Sequence, residues 1–212
     1  MTQLIPPKAP NLPLSPATPD RQYMDQLTNA QRLYYNRIDN AFQTLFNTRG
    51  GANLSYPYAA VQRTTDKTFT VNTATQITFD TNDYLSGCTN DGTDGIHVDM
   101  AGIYNYQFSV QLKNTDTQIH SAWIWLRVNG VDAAGTGSKF DVISSHGGTP
   151  GFVIAACNFY VELQAGDHVE MWAAADDTAV TFDATTASTS PFAMPSIPSV
   201  VATLSFVSAL TA

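Results

Sequence analysis

The chain has 212 residues, which suits one β domain with a full core plus an appendage and is too short for two large domains. Charged residues make up 13% of it and the net charge is −8, so it lacks the basic surface that binds nucleic-acid backbones. The sequence shows no apolar run of transmembrane length and no secretory signal, which predicts a protein made in a cytoplasm without membrane insertion.

The cysteines, Cys88 and Cys157, lie far apart and outside any Cys-x-x-Cys pair or cysteine-histidine cluster. That spacing argues against a zinc site and predicts buried free thiols. A single disulfide is the alternative outside a reducing cytosol.

Residues 1–19 carry proline at every third position from Pro7 to Pro19. Polyproline II has about three residues per turn, so this period predicts a stiff, extended arm with its proline rings along one edge. Because the arm also carries large aliphatic side chains, we expect it to dock in a groove on a partner; the alternative is a semi-rigid spacer. The residues assigned to docking are Leu4, Ile5, Pro7, Pro10, Leu12, Pro13, Leu14 and Pro16.

Residues 20–49 have a helical pattern, capped by Thr18 or Asp20 and ended by Gly50 and Gly51. Apolar residues recur there every three or four positions and predict one long stripe. The stripe packs either on copies of itself, in a parallel bundle that its tyrosines and alanines favour, or on the β domain of the same chain. The residues assigned to this stalk interface are Tyr23, Leu27, Ala30, Tyr34, Ile38, Ala41 and Leu45.

The head, residues 56–212, alternates short β-prone runs with turn signals such as Asn129-Gly130. Short strands without intervening helices predict an all-β, antiparallel sandwich or jelly roll. The ten predicted strands are 58–63, 68–79, 95–100, 103–113, 120–129, 139–144, 152–164, 167–175, 178–183 and 199–210.

Two of these strands are apolar on both faces. In residues 122–126, alternation turns Trp123 and Trp125 to one side and the aliphatic residues between them to the other. Residues 152–157 follow the same pattern, with Phe152 and Ile154 on one side. Since one face of a sandwich strand normally meets the core, the second face needs a neighbouring subunit or a ligand to cover it. These four residues are the predicted head interface.

Five segments of the head follow one another in the order of a known family. They are residues 101–104 (AGIY), 108–110 (FSV), 128–130 (VNG), 163–169 (LQAGDHV) and 201–206 (VATLSF). Together they resemble the jelly-roll heads of the complement-subcomponent-q and tumour necrosis factor superfamily. The resemblance implies a ten-strand antiparallel jelly roll that forms homotrimers around an aromatic-lined threefold axis, with the N-terminal stalk leaving from one end.

Two features depart from that family. A helix replaces the usual collagen-like stalk, and residues 185–198 form a proline-bearing excursion before the last strand. The layout of arm, helix and Thr-rich head is similar in style to virion fibre and decoration proteins of tailed bacteriophages.

Motifs for catalysis are missing from the sequence, which has no G-x-S-x-G, H-E-x-x-H or P-loop. The histidines are scattered, and the close acidic pairs, such as Asp176 with Asp177, sit in turns and are expected to be solvated. We therefore predict no catalytic residue and no cofactor. The candidates for calcium binding are Asp80, Asp83, Asp91 and Asp94.

These patterns predict a non-catalytic, trimeric virion structural protein, either a capsid decoration or a head or tail fibre. Its expected partners are further copies of itself and other virion proteins of the capsid or the portal and tail. The alternative is an adhesion module that binds a host-surface glycan or protein.

Overall fold

The computed structural model of the protein describes residues 9–14, 17–18, 20–46 and 56–210, without the side chains of residues 44–46. The chain divides into two compact units, Met1–Ser55 and Tyr56–Ala212. Several predicted positions lie outside the described residues: Leu4, Ile5, Pro7, Pro16, the side chain of Leu45, and Gly50 with Gly51.

The described part of the arm, residues 9–14, has no helix or strand. Pro10 and Pro13 are half-buried, whereas Leu12 and Leu14 are exposed. The two leucines are therefore accessible, and docking on a partner stays a prediction.

Helix α1 spans Arg21–Phe46. Its N-terminus is capped by Asp20, whose Oδ1 accepts a hydrogen bond of 2.7 Å from the Tyr23 N–H. Among its described side chains only six are not exposed, and these form the predicted stripe: Tyr23, Leu27, Ala30, Tyr34, Ile38 and Ala41. No described helix is both long and apolar enough to cross a membrane.

The head consists of fourteen strands in the described residues. They are β1 (Tyr58–Arg63), β2 (Lys67–Thr68), β3 (Thr75–Ile77), β4 (Thr81–Ser86), β5 (Cys88–Thr89), β6 (Ile96–Val98), β7 (Gly102–Asn114), β8 (His120–Val128), β9 (Val131–Asp132), β10 (Ser138–Val142), β11 (Gly151–Leu163), β12 (His168–Ala175), β13 (Val180–Phe182) and β14 (Val200–Ser208).

The strands form two antiparallel sheets, which we call the β7 sheet and the β8 sheet. The β7 sheet has the order β4-β1-β14-β7-β11. The C-terminal end of β7 also pairs with β13, and β13 pairs with β2. The β8 sheet has the order β10-β8-β12-β6-β5, with β3 against β12 and β9 against β8. Because the chain repeatedly crosses from one sheet to the other, this strand order is that of a jelly roll.

The core lies between the two sheets. Alternate residues of β7, including Tyr104, Tyr106 and Phe108, point into it, and Ile124 and Leu126 of β8 enter it from the other sheet. A strand that is apolar on both faces therefore packs one face in the core and exposes the other at the surface.

The described residues contain fourteen strands where ten were predicted, so the predicted strand count was wrong. The predicted strand 68–79 is interrupted around Asn72, whose positive φ of 54° turns the chain. The polar run from Thr81 to Ser86 is not among the predicted strands, yet it is β4 and pairs with β1. Tertiary pairing overrides the low strand propensity of Asn and Asp here.

Both cysteines are free thiols, and only Cys88 has the predicted burial. Burial raises the pKa of Cys88 to about 12, with a further contribution from Asp99. Cys157 is half-buried, and its Sγ lies 3.4 Å from Ser138 Oγ.

Candidate functional site

All three tryptophans of the chain lie on the outer face of the β8 sheet. Trp123 and Trp125 project from β8, because strand alternation turns Ile124 and Leu126 into the core, where both are fully buried. Trp172 projects from β12 and is the direct cross-strand partner of Trp125. The predicted orientation of the tryptophans is confirmed, and we call this surface the tryptophan face.

A polar network fixes two of these rings. Asp132 Oδ1 accepts hydrogen bonds from Trp125 Nε1 at 2.8 Å and from Arg127 Nε at 2.6 Å. The Arg127 guanidinium lies 3.8 Å from the centre of the Trp172 ring, a cation–π contact. Trp172 Nε1 in turn donates to Glu170 Oε2 at 2.6 Å. Both indole N–H groups are therefore satisfied within the protein.

Trp123 differs from the other two because it lines a cleft. It is 37% exposed, and its cross-strand partner Ala174 is small, which leaves space beside the ring. The cleft has a volume of about 630 Å³ and is also lined by Asp132, Ser138 and Lys139. Lys139 Nζ lies 5.8 Å from the centre of the Trp123 ring. The exposed ring of Trp123 thus has hydrogen-bonding groups beside it in the cleft.

The charges of the tryptophan face are paired. The hydrogen bond from Arg127 holds the pKa of Asp132 below its ordinary value, helped by that from Trp125. The hydrogen bond from Lys139 likewise lowers the pKa of Asp141, whose Oδ1 is 2.8 Å from Lys139 Nζ. This face can therefore recognise a ligand by stacking and directed hydrogen bonds rather than by a strong net charge.

The structure does not bring the four predicted head-interface residues together. Phe152 and Ile154 lie on β11, on the outer face of the β7 sheet, whereas Trp123 and Trp125 are on the β8 sheet. The sequence shows that both strands have two apolar faces, but it does not show to which sheet each strand belongs. The head consequently has two separate apolar surfaces.

The four aspartates considered for calcium do not converge. Asp80, Asp83 and Asp91 accept hydrogen bonds from nearby threonine or glutamine groups. Asp94 instead has its Oδ1 2.8 Å from Nε2 of His97. Over residues 56–210, no group of three close metal-ligand atoms contains two of these aspartates.

Sequence reasoning missed two histidine clusters. His97 of β6 and His168 of β12 are cross-strand partners, and their ring centres lie 4.8 Å apart. His120 lies between Asp116 at 2.9 Å and Asp176 at 3.3 Å. No local motif could have shown these clusters, because the strand register that assembles them is set by the tertiary structure.

Comparison with known proteins finds distant likenesses among solved structures only. No family model matches the sequence, and no curated protein matches it. Among solved structures, the globular domain of a zebrafish complement 1qA protein is similar, with 11% sequence identity and a TM-score of 0.43. The match covers 73% of this chain and 99% of that domain. The jelly-roll assignment rests on the strand order given above and not on this likeness.

Proposed function

We propose that the protein is a non-catalytic, homotrimeric virion structural protein, a capsid decoration or a head or tail fibre. In this proposal the N-terminal arm attaches the protein to the particle and the jelly-roll head is displayed. The proposed self-association is supported mainly by the exposed apolar surface of β11.

That surface consists of three large side chains on one strand. Phe152, Ile154 and Tyr160 are 51%, 65% and 66% exposed, respectively, although they alternate with core residues of the same strand. Large apolar side chains exposed along one strand favour burial against another protein surface. A second copy of the head is the occupant we assign, because the helix of the same chain independently carries an apolar stripe.

The acidic pair Asp176 and Asp177 supports a structural role over a hydrolytic one. Asp176 Oδ1 accepts a hydrogen bond of 2.9 Å from the Ser121 N–H and lies beside His120. Asp177 Oδ1 accepts one of 2.8 Å from the Ala179 N–H. These carboxylates hold the turn after β12 in place, which is an ordinary structural use of acidic residues.

Self-association is tested by the mass of the full chain in solution. We expect about three times 22.9 kDa by sedimentation or light scattering. Ile154→Asp should shift this mass towards a single chain, because it places a charge in the buried interface. Val131→Asp is the matched control, since Val131 is 70% exposed and lies on β9 in the β8 sheet. A monomeric wild type would contradict the proposal.

The virion role is tested by deleting residues 1–19. Particles assembled with the truncated protein should lack it, whereas the truncated protein alone should remain a soluble, folded oligomer. Normal decoration of particles by the truncated protein would show that the arm is not the attachment element.

A second function, glycan binding by the head, is favoured by the cleft at Trp123. Aromatic rings stack on the apolar faces of sugars, and the nearby Lys139 and Asp132 offer hydrogen bonds to hydroxyl groups. The indole N–H of Trp125 is already bonded to Asp132, so Trp123 is the ring that we assign to stacking.

Glycan binding is tested on a glycan array with the full chain. Trp123→Ala should abolish the signal with little loss of stability, because the ring is partly exposed. Phe192→Ala, which removes an exposed ring elsewhere, should bind as the wild type does. If the wild type binds no glycan, the head has no such function and the structural role stands alone.

A further inference from the structure

We propose that Asp94, His97 and His168 form a binding site for a divalent transition-metal ion. One ligand atom from each of these residues lies within 4.8 Å of the others. His97 and His168 are paired across β6 and β12, and Asp94 Oδ1 is 2.8 Å from His97 Nε2. An ion of the size of Zn²⁺ could bridge the three groups with small side-chain movements, since zinc–ligand bonds are about 2.0–2.2 Å long.

The donor set determines the class of metal. Imidazole nitrogens suit zinc, copper, nickel and iron, whereas calcium and magnesium prefer oxygen ligands throughout. Two imidazoles and one carboxylate therefore indicate a first-row transition metal, with a coordination position left for water. This differs from the oxygen-only site considered from the aspartates alone.

A buried carboxylate supports one of the two rings. Glu170 is 5% exposed, and its Oε1 lies 3.2 Å from His168 Nε2. The same carboxylate accepts hydrogen bonds of 2.6 Å from the Gly130 N–H and from Trp172 Nε1, so it is held rigidly. Carboxylates that orient a histidine in this way are common behind metal-bound imidazoles.

The turn that carries Asp94 is held close to β12. Gly95 has a φ of +111°, and a Cβ added to it would lie 2.4 Å from the carbonyl oxygen of Val169. The close approach, which requires glycine, brings Asp94 close to His168. The ligands are thus arranged by the backbone before any ion binds.

The other cluster is a weaker candidate. It contains one imidazole, that of His120, with Asp116 and Asp177. His120 lies between the carboxylates of Asp116 and Asp176, at 2.9 Å and 3.3 Å, and its group offers no second imidazole to a transition metal. It therefore serves as an internal control for the first cluster.

The test is isothermal titration calorimetry of the tag-free full chain with zinc chloride, after removal of metals with a chelator. We expect one zinc ion per chain in the wild type. His97→Gln and His168→Gln should each weaken binding at least about tenfold. His120→Gln and the exposed His146→Gln should bind as the wild type does.

Asp94→Asn makes the test independent of folding defects, because the Asp94 side chain is 49% exposed. This variant should keep the wild-type unfolding temperature without zinc and lose most of the rise that zinc gives the wild type. The proposal is overturned if the wild type binds no zinc or if His97→Gln and His168→Gln bind as the wild type does. Equal losses in His120→Gln or His146→Gln would overturn it as well.

Discussion

Two tyrosines of β7, Tyr104 and Tyr106, occupy the same core but differ in one hydrogen bond. Both are fully buried. The Tyr104 hydroxyl donates to the Met100 carbonyl oxygen at 2.6 Å, whereas the Tyr106 hydroxyl has no partner among the described residues. Burial raises the pKa of both phenols, that of Tyr104 to about 12.

Phenylalanine substitutions should therefore have opposite effects at these two sites. Tyr104→Phe removes a hydrogen bond and should lower the free energy of unfolding by about 1 kcal/mol. Tyr106→Phe removes an unsatisfied buried hydroxyl and should leave stability unchanged or raise it by about 1 kcal/mol. Urea unfolding of the two variants measures both values. Equal destabilisation by the two changes would show that the Tyr106 hydroxyl has a partner.

His120 should make stability depend on pH. The hydrogen bond to Asp116 raises the pKa of His120, and Asp177 and Asp176 add to this against an opposing effect of burial. A raised pKa in the folded state means that protonated His120 stabilises the fold at low pH. This contribution is complete below about 6.5, the ordinary histidine value, and is lost as pH rises through the folded pKa.

The measurement is urea unfolding of the wild type and His120→Gln at about pH 5.5 and about pH 8.5. The variant should be destabilised more at the lower pH. His146→Gln, in an exposed turn, is the control and should show no such difference. A His120→Gln penalty that is the same at both pH values would refute the assignment.

At the scale of elements, α1 carries the clearest one-sided pattern of the molecule. Leu27 is half-buried within the stripe, while the adjacent Gln26 is exposed. If the stripe forms the proposed trimer, Leu27→Glu should shift the full chain to a monomer, since the copies would bring their charges together in an apolar interface. Gln26→Glu adds the same charge outside the stripe and should leave the mass unchanged. Analytical ultracentrifugation distinguishes the two, and circular dichroism should show an intact helix in both.

At the scale of the whole molecule, periodicity was the most reliable guide to structure. The helical stripe and the long strands β7, β8, β11 and β12 have strong patterns, and the structure places them close to the predicted ranges. Their inward residues are set by the alternation of apolar side chains, which is a local property. The antiparallel all-β fold of the head followed from these strands and the turns between them.

The candidate sites followed from the sequence only in part. The exposed position of Trp123 could be predicted from alternation, but the cleft depends on Ala174, which lies opposite it on another strand. The pairing of His97 with His168 likewise depends on the register between β6 and β12. Such long-range pairings are fixed by the packing of the complete sandwich, so one sequence alone does not contain a local signal for them.

The position of β11 also has a consequence for how the protein must be handled and assembled. Among the described strands, β11 pairs with β7 alone, so its thirteen residues form a long border of the sheet. An edge strand of this kind has unpaired N–H and C=O groups with which strands of other molecules can pair, and its exposed apolar side chains make that association more favourable. During refolding, correct assembly therefore competes with edge-to-edge polymerisation, and the yield should fall as protein concentration rises.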